Sequence, residues 1–189
     1  MKIKAILLAV AITATMFTGC APKKEPAPTP TSPAETKDQA KTDVVTTASI
    51  VNDISAFEKA ISKDGTWIIA ALNDLTSTKD LVLEGEFKNG KKDTNGKDII
   101  QRKIALYTQD SNQKVTNRFT LTAPKLTVKS PNARIQSGTF KGDLYVETKD
   151  FQLVDAKVDG NVYFTSEEAK AGFKMDSTSS ITGKQEVKK

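Results

Sequence analysis

The sequence predicts an all-β domain over residues 49–189, built as a right-handed parallel β-helix (a β-solenoid) with a short N-terminal capping helix; a β-sandwich is the alternative. Three observations predict it. The hexapeptide Lys141-Gly142-Asp143-Leu144-Tyr145-Val146 returns after 18 positions as Asp159-Gly160-Asn161-Val162-Tyr163-Phe164. The same shift carries Ile135 to Leu153 and Phe140 to Val158, and backwards it carries Leu144 and Val146 to Leu126 and Val128. Within one copy, Ile135, Phe140, Val146, Leu153, Val158 and Phe164 fall about six residues apart, which reads as three short strands per copy. Stacked copies would pair each strand with its equivalent in the next and enclose an apolar column. A sandwich would instead show frequent hairpin signals, and the two Asn-Gly pairs, at 89–90 and 95–96, both lie in one polar stretch.

Before the domain come two segments of different character. Residues 1–19 carry Lys2 and Lys4, an apolar run from Ala5 to Met16 and a small-residue exit, the three parts of a secretory signal. The run is shorter than the ~20 apolar residues that span a bilayer. Phe17-Thr18-Gly19-Cys20 resembles the lipobox of bacterial lipoproteins, with Phe17 where Leu is usual. That resemblance implies a mature chain beginning at Cys20, carrying thioether-linked diacylglycerol and palmitate-type acyl chains. More than one chain gives stable anchoring where a single one does not. Residues 20–48 then hold five of the seven prolines among Thr, Ser, Lys and Glu, a composition that cannot bury enough surface to fold. They read as a disordered tether on the extracytoplasmic face of the cell membrane.

In the domain itself, Ile50, Ile54, Phe57 and Ile61 share one helical face, so a helix is expected over 50–63, with Ser55 and Glu58 as a capping box and Gly65 as its stop. Strands are expected at Trp67–Leu72, Leu81–Phe87, Lys103–Tyr107, Arg118–Leu121 and Leu126–Val128, and near Ile135, Leu144–Val146, Gln152–Val154 and Val162–Phe164. A longer shift of 23 relates Val158-Asp159-Gly160 to Ile181-Thr182-Gly183, the extra five residues falling in the polar stretch Ser166–Gly172, read as a surface loop. The pattern in Ser137-Gly138-Thr139-Phe140-Lys141-Gly142-Asp143-Leu144 and Val158-Asp159-Gly160-Asn161-Val162 resembles bactofilins, over about residues 121–187. This resemblance implies a β-helix of a polymer-forming kind. The leading helix is similar to the N-terminal cap of pectate-lyase-like β-helices, which bactofilins do not normally have. A cap at one end, with Lys184, Glu186, Lys188 and Lys189 at the other, is expected to discourage end-to-end stacking and leave a monomer.

Composition bounds the chemistry. The 189 residues contain no His and one Cys, which excludes an internal disulfide, a His-dependent nucleophile and a His zinc site. The net charge of +5 shrinks to +3 from Ser49 onward, 22 basic against 19 acidic residues with signs interspersed, which argues against a nucleic-acid partner. Asp143, Asp155, Asp159 and Asp176 lie in the repeats, but Asp143 aligns with Asn161 and Asp159 with Lys141, so they read as solvated turn residues and no metal or cofactor is expected. Asp93-Thr94-Asn95-Gly96-Lys97-Asp98, among Lys88, Lys91 and Lys92, reads as a flexible basic loop. Serines such as Ser62, before Lys63, and Ser130 lack a nucleophile motif, so no catalytic residue is assigned. Alternation turns Tyr145 and Tyr163 outward, and the 18-residue shift stacks them with Thr127 one copy earlier, a surface that could pack on a sugar ring or a protein. The expected function is therefore a lipid-anchored envelope protein that binds or scaffolds, toward cell-wall polysaccharide or an envelope protein. The alternatives are a carbohydrate-active enzyme, lyase or hydrolase, on the same scaffold, and a bactofilin-like self-assembling element.

Overall fold

A computed structural model describes residues 48–188. The expected signal segment 1–19, Cys20 and its tether lie outside the described residues, except for the tether's last position. In chain order the elements are β1 (Ser49–Val51), α1 (Ile54–Ile61), β2 (Ile68–Ala71), β3 (Leu75–Thr76), β4 (Leu81–Leu83), β5 (Lys88–Lys92), β6 (Asp98–Ile100), β7 (Arg102–Ala105), β8 (Tyr107–Gln109), β9 (Val115–Arg118), β10 (Thr120–Val128) and β11 (Ala133–Val146). They continue as β12 (Gln152–Asp159), β13 (Val162–Phe164), α2 (Glu167–Gly172), β14 (Lys174–Met175), β15 (Ser180–Ile181) and β16 (Gln185–Val187).

The domain is all-β, and twelve of its strands form one sheet in which every pairing is parallel. Among the described residues antiparallel pairing is confined to two hairpins, β5–β6 and β8–β9, outside that sheet. This is not how a β-sandwich of antiparallel hairpins is put together. The sheet bends because its long strands change partners along their length: β11 pairs with β7 and then β10 on one edge, and with β12 and then β13 on the other.

Three columns of stacked strands result. The first runs β1, β2, β7, the start of β11, the start of β12 and β14. In the second, β3, the start of β10, the middle of β11, the end of β12 and β15 follow one another. The third comprises β4 and the ends of β10 and β11, followed by β13 and β16. The registers are those of the internal repeat. Leu144 faces Val162, Phe140 faces Val158, Ile135 faces Leu153, and Val158 faces Ile181 across the longer shift.

Each inward row is apolar. Ile69, Ile104, Ile135 and Leu153 follow one another in the first column, and Leu83, Val128, Val146 and Phe164 in the third, all buried. Full burial of such a side chain contributes ~1.5–3 kcal/mol. The recurring glycines have a steric reason. Gly142 sits at φ +141°, and a Cβ at Gly160 would overlap the Gly142 carbonyl one pass earlier, so successive corners can stack only without side chains.

Several local expectations are corrected. The helix spans Ile54–Ile61, not 50–63, because Asp53 caps it, its Oδ1 accepting from Ala56 N–H at 2.9 Å. Ser55 therefore lies inside the helix rather than at its cap. Ile50 belongs to β1 and stands 66% exposed, since alternation on a strand turns it away from the core that Val51 enters. Phe57, Ala60 and Ile61 carry the helix onto the apolar cluster. The strand expected over Leu81–Phe87 stops at Leu83, where Gly85 takes φ +98°. Arg118–Leu121 is divided between β9 and β10, and β10 runs on through Val128, with a register shift at Ala123-Pro124. The stretch Ser166–Gly172 holds a helix, Glu167–Gly172, rather than a loop: its N-cap Ser166 accepts through Oγ from Ala169 N–H at 3.1 Å, and Ala169 is buried. The basic loop at 93–98 closes a hairpin, in which Asp98 pairs with Lys88 at 2.7 Å and Lys92 at 2.5 Å.

Candidate functional site: a tyrosine and lysine face

The outward face of the third column is built by the 18-residue repeat. With Leu144 and Val146 pointing inward, Tyr145 points out, and Tyr163 does so one pass later. The register sets Val82, Thr127, Tyr145, Tyr163 and Glu186 in one row across the strands. The two tyrosine ring centroids are 4.9 Å apart with planes tilted by 43°, one of the offset geometries that aromatic pairs prefer. Thr127 holds its register position but is only 7% exposed, so it forms the floor beside the rings rather than a contact.

Two lysines complete the face. Lys188 Nζ lies 4.6 Å from the Tyr163 centroid and 5.8 Å from that of Tyr145, and donates to the Tyr145 hydroxyl at 3.4 Å. That hydrogen bond and the charge of the Tyr145 phenol raise its pKa above the ordinary lysine value. Lys125 Nζ lies 5.6 Å from the Tyr145 ring and pairs with Asp80 at 2.7 Å, the bond to Asp80 raising its pKa. Each contact is a cation–π geometry at an exposed site. Sequence reasoning missed both lysines in this role. Lys125 shares the outward parity of Thr127, a signal that was present; Lys188 reads as terminal charge until the last strand is laid beside Tyr163.

Beside this face runs a groove of about 440 Å³, lined by Ser77, Thr122, Lys141, Asp143 and Asp159 around the stacked glycines. Its carboxylates are tied into the stack. Asp143 Oδ1 accepts from Asn161 N–H at 3.2 Å and Nδ2 at 2.9 Å, and Asn161 Oδ1 accepts in turn from Lys184 N–H at 3.0 Å. Asp159 accepts from the Thr182 hydroxyl at 3.1 Å. Asp155 receives Arg118 at 2.6 Å, and Asp176 receives the hydroxyls of Ser179 and Thr178 and the N–H of Asp155, which lower its pKa. Each of the four aspartates thus holds a corner to its neighbour. Among the described residues no three His, Cys, Asp or Glu side chains gather as a metal site would require.

Arg102 is the other residue that the sequence did not announce. It is fully buried, donating through Nε to Thr66 O at 3.1 Å, through one terminal nitrogen to Ala60 O at 2.6 Å and Ser62 O at 2.8 Å, and through the other to Glu84 O. The Phe87 ring lies 4.1 Å from its guanidinium carbon. It satisfies carbonyls at the end of α1, where helices leave theirs unpaired. A Cβ at Gly65 would overlap the Ala60 carbonyl and crowd this guanidinium. Its role is structural: it fixes the helix over the first strands.

No helix among the described residues is long and apolar enough to cross a membrane. Comparison with known proteins finds no family model, no curated protein and no solved structure that matches this chain.

Proposed function

We propose that the chain is a lipid-anchored protein of the bacterial cell envelope, held at the extracytoplasmic face through Cys20, whose domain binds cell-wall glycan through Tyr145 and Tyr163. In this reading the three columns close into a right-handed parallel β-helix, α1 caps its first pass, and residues 20–48 give the domain reach from the membrane. The observation that carries it is the Tyr145–Tyr163 pair, 4.9 Å apart and backed by Lys188 and Lys125. Two rings fixed on paired strands offer an apolar platform edged by donors, which suits the mixed apolar and hydroxyl surface of a pyranose. The test is co-sedimentation with insoluble cell-wall glycan. A Tyr145→Ala/Tyr163→Ala variant that melts like wild type should lose most of its binding; undiminished binding overturns the proposal.

One observation favours the enzymatic alternative: Asp143 and Asp159 line the same groove. Glycoside chemistry uses two carboxylates on either side of the scissile bond. Release of reducing ends or unsaturated products from a polysaccharide panel, lost in Asp159→Asn, would establish it. Self-assembly in the manner of bactofilins is favoured by β14, β15 and β16, which among the described residues pair on one side only and leave Met175 44% exposed. Lys184, Glu186 and Lys188 on that edge oppose it, so sedimentation should give a monomer.

A further inference from the structure

The outer face of the first column carries a row that the tyrosine reading does not use. Parity turns Ile68, Lys103, Arg134, Gln152 and Lys174 outward, in register across successive strands. Lys103 and Arg134 are direct cross-strand neighbours, an arrangement of like charges that weakens a sheet unless something compensates it. Among the described residues no carboxylate does so, and Lys103 has only Tyr107, whose ring centroid lies 5.7 Å from its Nζ. Neither side chain is in a salt bridge, whereas Lys174 next along pairs with Asp150 at 3.6 Å and Arg118 nearby pairs with Asp155 at 2.6 Å.

The pair is also partly withdrawn from water. The β8–β9 hairpin lies against β2 and β11, stapled by Arg118 to Asp155, and Ala105 is only 4% exposed although its parity turns it outward. From the hairpin, the Tyr107 hydroxyl accepts from Lys103 Nζ at 3.4 Å. Two polar atoms on this floor are buried without a partner: Nε of Arg134 and Oε1 of Gln136. Buried groups of this kind are normally satisfied, and an orphaned guanidinium N–H beside a second cation is costly. Burial lowers the pKa of Lys103 and of Arg134, and in Lys103 the neighbouring Arg134 charge adds to that effect.

We infer that Lys103, Arg134 and Gln136 form an anion site for a carboxylate or phosphate group carried on a hydroxylated unit, as in an acidic sugar or a polyol phosphate. The anionic oxygens bridge the ammonium and the Arg134 fork, giving Nε its acceptor. A ligand hydroxyl donates to Gln136 Oε1, which a carboxylate without a hydroxyl, such as acetate, cannot do. The site is separate from Tyr145 and Tyr163 and does not depend on their role.

The test is an NMR titration of the ¹⁵N-labelled full chain in detergent at low salt, following the Arg134 Nε–H signal, identified by its loss in Arg134→Gln. The probes are inorganic phosphate, glycerol phosphate, glucuronate, acetate and, as an uncharged control, glucose. Phosphate or glucuronate should shift the signal saturably and glucose should not; a response to only one of the two anions identifies the source and supports the site. Lys103→Gln should weaken binding about tenfold. Gln136→Leu should abolish the preference for glucuronate over acetate. The Tyr145→Ala/Tyr163→Ala variant should titrate as wild type. No saturable shift with any anion overturns the inference, as does equal affinity in folded Lys103→Gln, or loss of the response in the tyrosine variant.

Discussion

The passes at Ala133–Phe164 and those at Ile68–Val128 use the same three columns but are held together differently. In the later region consecutive strands repeat after 18 residues, and like stacks on like: Tyr145 on Tyr163, Ile135 on Leu153, Gly142 beneath Gly160. Even the left-handed corners repeat, Ser137 with Asp155 and Asn132 with Asp150. In the earlier region two hairpins interrupt the path, and a single buried arginine joins what the repeat does not. A repeat spreads its stability over many equivalent rows, whereas an interrupted pass concentrates it in one polar centre.

That contrast is broken most directly at Arg102. Arg102→Ala removes the guanidinium donor from the carbonyls of Thr66, Ala60 and Glu84, leaves Ser62 O with Gly65 N–H alone, and opens a void beneath Phe87. The expected loss is ~3–5 kcal/mol, a large share of the ~5–15 kcal/mol that holds an ordinary domain folded. Arg102→Lys should recover little, because an ammonium cannot serve carbonyls spread around a planar fork. Urea denaturation measures both, and a lysine variant as stable as wild type would show that charge alone suffices there.

In the repeat the expected losses are smaller and local. Gly160→Ala forces a Cβ into the Gly142 carbonyl, and the corner must shift. Overpacking of this kind costs ~1–3 kcal/mol. Hydrogen exchange should show faster opening at β12 and β13, with β2 and β7 unchanged; equal loosening throughout would mean that the two regions unfold as one unit.

The same contrast explains what could be read in advance. Registers in the later passes follow from the sequence because equivalent residues must match in size and polarity to stack, so the repeat is written in the chain. Ile50 shares helical spacing with Ile54, Phe57 and Ile61, but a spacing of four apolar residues does not reveal that Asp53 caps the helix after it. Arg102 left no periodic trace: its acceptors come from residues 36 to 42 positions earlier and from Glu84, and they converge only when the helix end meets the sheet. The tyrosine pair was legible as parity plus repeat, while its lysine partners depend on where the last strand lies.

The hairpins should be nearly dispensable to the fold. Replacing Lys91–Lys97 with a two-residue Asn-Gly turn removes only exposed residues and shortens a connection, a change whose entropic effect grows slowly with length. The melting temperature is expected to move by no more than the equivalent of ~1 kcal/mol. A larger fall would place the β5–β6 hairpin among the supports of Arg102, through Phe87 and through Gln101 N–H, which donates to Phe87 O at 2.9 Å.

The smallest effect concerns that hairpin's own charge. Hydrogen bonds from Lys88 and then Lys92 hold the Asp98 carboxyl below its ordinary value of 3.8. A folded-state pKa lower than the unfolded one means that the unfolded hairpin binds the proton more readily. The contribution is therefore fully present above about pH 4 and lost as pH falls through the lower folded value. Since the three side chains are solvent-facing, the loss should open β5–β6 without moving the global melting temperature. Amide signals of Lys88–Ile100 followed from pH 6 to pH 2 should change together while those of Ala133–Phe164 stay fixed. Asp98→Asn should reproduce the low-pH hairpin at neutral pH; a hairpin unaltered by that substitution would mean its turn alone holds it, through the Asp93 carboxylate that accepts from Asn95 and Lys97 N–H.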